Sequence, residues 1–260
     1  MKTNTFKARL KDRQQIGLWV SLGNAASAEI LARSGADWLL IDMEHSPNEV
    51  STVLEQLRAV AEDCEVIVRP PEASQTVTKR LLDIGTKSIM FPMIDTAEQA
   101  RQAVSWTRYP PKGVRGISGV VRATGYGRDA ASYLASEEEH ICVIVQAETP
   151  TALANLEEIA EVEGVDAIFI GPGDLAASMG FTGQGASVPE VAEAIRDALN
   201  RISAKSCGAG VLGYGATAAT KFFDQGADFV AAGADTWLLA QQSSSLIEQL
   251  QAALERQKTS

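Results

Sequence analysis

Cysteine is scarce in this sequence, and its spacing suggests no pairing. The three cysteines, Cys64, Cys142 and Cys207, lie far apart and form no Cys-x-x-Cys motif. A disulfide framework or a zinc site requires several cysteines at short, defined spacings. We therefore interpret all three as buried, reduced thiols rather than cross-links or metal ligands.

The sequence also lacks an excess of positive charge and any long apolar run. It has 23 Lys and Arg against 33 Asp and Glu, for a net charge of -10. Nucleic acids and anionic membranes attract clustered Lys and Arg, so neither is an expected partner. A membrane-spanning helix requires about 20 apolar residues in a row, and the amino terminus contains no apolar segment of secretory length. These absences predict a cytoplasmic protein.

Apolar runs that alternate with amphipathic segments fill the chain instead. With 45% hydrophobic residues in a length of 260, the chain can bury one large core. A short motif recurs where a helix returns to the next strand, because glycine there adopts the left-handed conformation that ends a helix. The motif occurs at Ser34–Asp37, Glu163–Asp166 and Gln225–Asp228.

The order of these segments predicts the fold. Eight apolar runs with helices between them predict an α/β protein with one (β/α)8 barrel domain over residues 1–260. An open doubly wound sheet is the alternative. No Gly-x-Gly-x-x-Gly follows the first strand, so the dinucleotide-binding motif of that sheet is missing.

Two carboxylates follow neighbouring predicted strands. Glu148 comes directly after an apolar run ending at Ala147, and Asp174 follows Ile170 within a Gly-Pro-Gly-Asp sequence. In a barrel, the chemistry is placed at the carboxyl ends of the strands. Hard oxygen ligands there suit a divalent cation with open positions for a chelating substrate. The alternative is that both acids are only helix N-caps.

His45 and Arg69 also lie at predicted strand exits. His45 is one of two histidines and shares this rim with the arginine and the acids, which favours a role in proton transfer. Arg69 ends a buried strand, where its guanidinium can bind a carboxylate or stabilise an oxyanion. The other histidine, His140, precedes a strand on the opposite rim, and we interpret it as structural.

Taken together, these stretches resemble the HpcH/HpaI aldolases, a family of class II pyruvate aldolases. The family includes 4-hydroxy-2-oxoheptanedioate and 2-keto-3-deoxy-sugar-acid aldolases. The matching stretches run in order along nearly the whole chain: Gly17–Trp19, Trp38–Pro47, Val68–Pro70, Leu81–Thr86, Arg108–Gly116, Val145–Thr149 and Phe169–Leu175.

The resemblance implies a phosphoenolpyruvate/pyruvate-type barrel, a divalent Mg, Mn or Co ion and a homohexamer whose C-terminal helix is exchanged between subunits. It also assigns roles to residues. The metal ligands are Glu148 and Asp174, and the substrate contacts are Gln146, Gly173, Asp174 and Leu212. The base is His45, the stabiliser of the enolate is Arg69, and Asp83 raises the basicity of that histidine.

Two features of this resemblance lead to further expectations. Asp83 falls near the C-terminal end of a predicted helix, on the far rim, so it would reach a histidine only from a neighbouring subunit; Asp42 is the alternative partner. The sequence departs from the family around Val120–Tyr126 and Leu212–Gly215, and these segments are expected to shape the aldehyde end of the pocket.

The expected activity is the reversible cleavage of a 4-hydroxy-2-oxo acid into pyruvate and an aldehyde. No lysine occupies a predicted buried strand, which disfavours a Schiff-base mechanism. A lyase acting on CoA esters, of the citrate or malyl-CoA lyase type, is the first alternative. A barrel that binds 2-oxo acids without turnover is the second.

Overall fold

The computed structural model describes residues 3–61 and 63–258, without the side chains of residues 137 and 258. In this part of the chain eight parallel strands close into a barrel in sequence order, so the predicted (β/α)8 fold is confirmed. The strands are β1 (Gln15–Val20), β2 (Trp38–Asp42), β3 (Glu65–Arg69), β4 (Ser88–Phe91), β5 (Cys142–Ala147), β6 (Ala167–Ile170), β7 (Gly208–Leu212) and β8 (Phe229–Ala234).

Helices surround the barrel, as the amphipathic segments between the apolar runs predict. They are α1 (Thr5–Arg9), α2 (Ala25–Ala32), α3 (Val50–Val60), α4 (Gln75–Asp83), α5 (Ala97–Thr107), α6 (Ala130–His140), α7 (Pro150–Ala154), α8 (Leu156–Ala160), α9 (Pro172–Ser178), α10 (Pro189–Ser203), α11 (Ala216–Asp224) and α12 (Asp235–Lys258). The segment predicted as one helix after β5 is interrupted at Asn155. The glycines of the recurring return motif have φ of +93°, +93° and +94°, as the motif predicts.

The barrel interior is packed with large side chains set against glycines. A Cβ atom on Gly17 would lie 2.1 Å from the Trp38 ring, and one on Gly210 would lie 2.2 Å from the Phe229 ring. Small residues on one strand thus make room for aromatic residues on the next, as a tapering barrel requires.

Helix α1 closes the amino-terminal end of this interior. Phe6 is fully buried, with ring centroids 5.9 Å from Trp38 and 5.2 Å from Phe229. Asn4 donates a hydrogen bond to Ser88 Oγ over 2.9 Å and so ties the helix to β4. Helix α1 thus plugs the barrel at this end.

The segment 113–128 lies against the outside of α4. Arg122 donates to the carbonyl of Ile84 over 2.8 Å, and Gln75 donates to that of Val114 over 3.0 Å. Ile84 is the C-cap residue of α4, and Arg122 shares a cleft with Glu65 and Lys87 at the amino-terminal ends of β3 and β4, so the part around Arg122 lies away from the carboxyl ends of the strands. The expectation that Val120–Tyr126 shapes the aldehyde end is therefore wrong within one subunit.

None of the helices in residues 3–61 and 63–258 combines the length and the apolar character that crossing a membrane requires.

Candidate active site

One cavity of about 380 Å³ opens at the carboxyl ends of the strands. All but one of the site residues proposed from the sequence line it: His45, Arg69, Gln146, Glu148, Gly173, Asp174 and Leu212. The exception is Asp83. The closed barrel thus brings together groups that are spread over most of the chain.

Glu148 and Asp174 come from neighbouring strands, because β5 and β6 pair directly. Neither is an N-cap: Thr149 caps α7 with its side chain, and Gly171 occupies the cap position of α9. The alternative that both acids are only helix N-caps is therefore wrong, although Asp174 lies in the first turn of α9. Glu148 is 2% exposed, so it lies in the wall of the cavity rather than in solvent.

The surroundings of Glu148 hold its carboxylate in one place. Gln146 Nε2 donates to Glu148 Oε1 over 2.6 Å. Gly171 leaves the space that the carboxylate occupies, since a Cβ atom there would lie 2.0 Å from Oε1. The Met93 amide also faces the carboxylate, and Met93 has a φ of +55°, a strained conformation for a non-glycine residue.

Burial, followed by repulsion from Asp174, raises the pKa of Glu148 to about 8. A carboxyl group with these surroundings is costly to ionise in the absence of a cation. The cavity is lined by three acids, Asp42, Glu148 and Asp174, and by one guanidinium, that of Arg69. The excess of two carboxylates matches the charge of a divalent cation.

The oxygen atoms available in the cavity also fit a divalent cation. Gln146 Oε1 is buried and, within the described part of the chain, has no hydrogen-bond partner, so it can still accept a bond from a ligand. No group of three or more His, Cys, Asp or Glu residues able to hold a metal is found among the described residues. Glu148 and Asp174 would therefore hold a hard cation with only two protein side chains, which leaves positions for water and substrate.

The raised pKa of Glu148 leads to a prediction for stability. The pKa rises from 4.5 to about 8 on folding, so the cation-free folded protein retains a proton that the unfolded chain releases. We expect the free energy of unfolding of the cation-free protein to fall, by roughly a few kcal/mol, as pH increases from 4.5 through about 8. Glu148→Gln should flatten this dependence. Denaturation in chelator across this pH range measures the effect, and equal slopes for both proteins would contradict it.

Arg69 is buried and held in a fixed orientation. Its Nε and Nη2 donate to the two carboxylate oxygens of Asp42 over 2.8 and 2.9 Å, and Nη1 lies 2.7 Å from Glu44 Oε2. The Trp19 ring lies beneath it, 5.2 Å from Cζ. A guanidinium has five N–H donors, so Arg69 keeps donors for a substrate oxygen. Asp42 is thus the partner of Arg69, and the expectation that it pairs with His45 is wrong.

His45 lies at the mouth of the cavity. Its side chain is 64% exposed, and Nε2 lies 3.8 Å from Glu44 Oε2. The imidazole is therefore accessible to a substrate and to a neighbouring molecule. Burial raises the pKa of Glu44 despite the nearby Arg69. Glu44 lies between the guanidinium and the imidazole and can couple their charges.

Asp83 lies at the other end of the barrel. It is the last residue of α4, which runs antiparallel to the strands, and it accepts a hydrogen bond from Arg115 Nη2 over 3.2 Å. Arg115 is fully buried between the rings of Tyr109 and Tyr133. The predicted support of His45 by Asp83 is thus absent within one subunit.

Several residues that line the cavity were not proposed from the sequence. They are Trp19, Ser21, Phe169, Ala234 and Thr236, whereas Tyr214, which also lines it, belongs to the segment Leu212–Gly215 expected at the aldehyde end. Each follows or ends a strand, so the barrel register could have indicated them. Asp235 fixes this side of the rim by accepting hydrogen bonds from the amides of Ser21 and Leu22 over 2.9 and 3.1 Å.

The fold and this cavity define a (β/α)8-barrel enzyme with its reacting groups at the carboxyl ends of the strands. The chain belongs to the HpcH/HpaI aldolase/citrate lyase family, whose profile matches residues 15–241. It is accordingly an aldolase, that is, a carbon–carbon lyase.

Named relatives and a solved structure agree with this classification. The chain is 50% identical to the 4-hydroxy-2-oxovalerate aldolase of Rhodococcus jostii (strain RHA1), over 94% of each chain. It is 48% identical to the 2-keto-3-deoxy-L-rhamnonate aldolase of Escherichia coli (strain K12), over 91% of this chain and 89% of the relative. The structure of an HpcH/HpaI aldolase/citrate lyase family protein from Burkholderia cenocepacia J2315 superposes with a TM-score of 0.92 at 37% identity, covering 96% of this chain and 100% of that one.

Proposed function

We propose that the protein cleaves 4-hydroxy-2-oxo acids reversibly into pyruvate and an aldehyde, with the help of a divalent cation. The observation that carries this proposal is the buried carboxylate of Glu148, whose pKa is raised beside Asp174 in a cavity that also contains Arg69 and His45. The names of the two relatives support the same class of substrate.

Glu148 and Asp174 would hold the cation, which supplies a Lewis acid next to the 2-oxo acid when it is bound. We assign the metal as Mg, Mn or Co, which all accept oxygen ligands. Gln146 and the backbone at Gly173 and Asp174 would orient the acid, because they line the cavity beside the two carboxylates. Leu212 would contact the part of the substrate that becomes the aldehyde.

Cleavage needs a base for the C4 hydroxyl and a stabiliser for the enolate. His45 removes the hydroxyl proton, the C4–O bond becomes the aldehyde carbonyl, and the C3–C4 bond breaks. The electron pair of that bond forms the C2–C3 double bond of the enolate, and the carbonyl π pair moves to the C2 oxygen, where the spare N–H donors of Arg69 stabilise the negative charge. C3 then takes up a proton and becomes the methyl group of pyruvate, and release of the proton held by His45 restores the base.

We further propose that the active assembly is a homohexamer located in the cytoplasm. Asp83 would support His45 of a neighbouring subunit, since the two lie at opposite ends of one barrel. Exposed apolar side chains on α12 support an exchange of this helix between subunits: Leu239, Leu246, Ile247, Leu250 and Leu254.

Pyruvate release from a panel of 4-hydroxy-2-oxo acids, with and without chelator, tests the proposed reaction. We expect turnover that chelator abolishes and that added Mg, Mn or Co restores. Full activity in chelator, or a borohydride-trapped lysine adduct with pyruvate, would contradict it. Cleavage of CoA esters alone would indicate a citrate- or malyl-CoA-lyase-like enzyme, and binding of 2-oxo acids without turnover would indicate a non-catalytic barrel.

Replacing Arg69 tests its role at the enolate. Arg69→Ala should lower kcat by about a hundredfold or more, as for a lost oxyanion donor, because the interaction strengthens as charge develops. Arg69→Lys should recover only part of the rate, since lysine lacks the fork that pairs with Asp42. Exchange of the pyruvate methyl protons with deuterated water is the measurement, because it needs the enolate but no aldehyde. A normal exchange rate in Arg69→Ala would place the residue at the aldehyde end instead.

A further inference from the structure

A second cleft of about 460 Å³ adjoins the active-site cavity. The two share four lining residues, Pro172, Gly173, Leu212 and Tyr214, so these residues form a common boundary. The cleft continues from this boundary between the turn around Gly185–Ser187 and the face of α11 that carries Ala218 and Phe222.

The lining of this cleft is mostly apolar. Ala186, Ala218 and Phe222 join the shared Pro172 and Leu212, and no acidic side chain of the described residues lines it. Lys221 is its only charged lining residue within the described part of the chain, and this side chain is exposed. A lysine can cover an apolar surface with its methylene stem while its ammonium stays in water. The chemistry of the cleft therefore favours a saturated carbon chain over a charged group.

The boundary between the two spaces is rigid. Gly213 lies between Leu212 and Tyr214, and a Cβ atom there would lie 2.7 Å from the Phe222 ring. The amides of Gly213 and Gly215 donate to carbonyls of Ala231 and Ala232 over 2.9 and 2.8 Å. The backbone that carries Leu212 and Tyr214 is thus held by β8 and packed against α11, and both residues border the cavity as well as the cleft.

We propose that this cleft binds the distal chain of the aldehyde, and that the preferred substrates are 4-hydroxy-2-oxo acids with an unbranched, uncharged alkyl tail of several carbons. This inference rests on the proposed function. The oxo acid occupies the cavity beside Glu148 and Arg69. The tail leaves C4 along Leu212 and Tyr214 and packs against Ala218 and Phe222.

A series of substrates with methyl, propyl or pentyl groups at C4 tests the proposal. Each methylene that the cleft buries should raise kcat/KM about fourfold, because the transfer of a methylene from water to an apolar site is favourable by that factor. Ala218→Phe fills the cleft and should lower the ratio of pentyl to methyl kcat/KM by up to about 250-fold, because the four additional methylenes of the pentyl tail lose their apolar contacts. Thr220→Phe adds the same ring on an exposed face of α11, outside the cleft, and should leave both values unchanged.

The outcomes separate this inference from the proposed function. If none of the three substrates is cleaved, the proposed function fails. If they are cleaved but the pentyl substrate gains nothing, or if Ala218→Phe leaves the ratio unchanged, the cleft does not bind the tail. Ala186→Leu narrows the cleft from the opposite wall and gives the same test if Ala218→Phe fails to fold. A carboxylate-ended tail that outperforms pentyl and loses this advantage in Lys221→Gln would overturn the assignment of an uncharged chain.

Discussion

Gly171→Ala should abolish cation binding and lower the aldolase rate by about a thousandfold or more, which is the scale of a lost Lewis acid. The substitution removes no ligand. Its Cβ atom would lie 2.0 Å from Glu148 Oε1 and 2.9 Å from Cδ, so the carboxylate has to leave its position. Backbone strain is not the cause, because φ at Gly171 is -92°, which any residue adopts.

Gly173→Ala provides the matched control, since a Cβ atom at that position would meet nothing within 4 Å. Isothermal titration with Mg, Mn or Co measures the affinity of both variants, and Glu148→Ala sets the value for a missing ligand. Gly171→Ala should match Glu148→Ala, whereas Gly173→Ala should bind the cation as the unmodified protein does. Normal cation affinity in a folded Gly171→Ala protein would show that the ion is held elsewhere.

His45→Ala should lower the rate of retro-aldol cleavage by about two to four orders of magnitude, the usual loss for a missing general base. Pyruvate binding should persist, because His45 is 64% exposed at the mouth while Arg69 and Glu148 lie deeper. Initial rates of pyruvate release measure the cleavage rate, and a separate titration with pyruvate measures its affinity.

The second histidine of the chain serves as the control for this experiment. The His140 carbonyl accepts a hydrogen bond from Asn4 at the plugged end of the barrel, and its imidazole is remote from the cavity. His140→Ala should therefore leave turnover intact. Near-normal turnover in His45→Ala would return that residue to a structural role.

The fold could be predicted because its signals are local. Apolar runs, amphipathic helices and the left-handed glycines at 35, 164 and 226 each depend on a few neighbouring residues. The placement of His45, Arg69, Glu148 and Asp174 followed from one further rule, that parallel strands in a barrel end on the same rim.

Features that depend on distant contacts were not predictable in the same way. The spacing of Asp42 and Arg69 does not indicate their bidentate pair, which arises because these residues are opposite each other in the β2–β3 register. The space that Gly171 leaves for Glu148 depends on the packing of β5 beside β6. The segment around Val120–Tyr126 was expected at the aldehyde end because it departs from the family, but its position depends on the contact of Arg122 with the end of α4.

The plug formed by Phe6 also has a kinetic consequence. Within the described residues α1 closes the barrel at its amino-terminal end, so substrate and products pass through the end where the strands terminate. In the proposed function, pyruvate binds beside the buried Glu148 and Arg69, and the aldehyde lies nearer to Leu212 and Tyr214. We therefore expect the aldehyde to leave first in cleavage, and pyruvate to bind before its acceptor in synthesis.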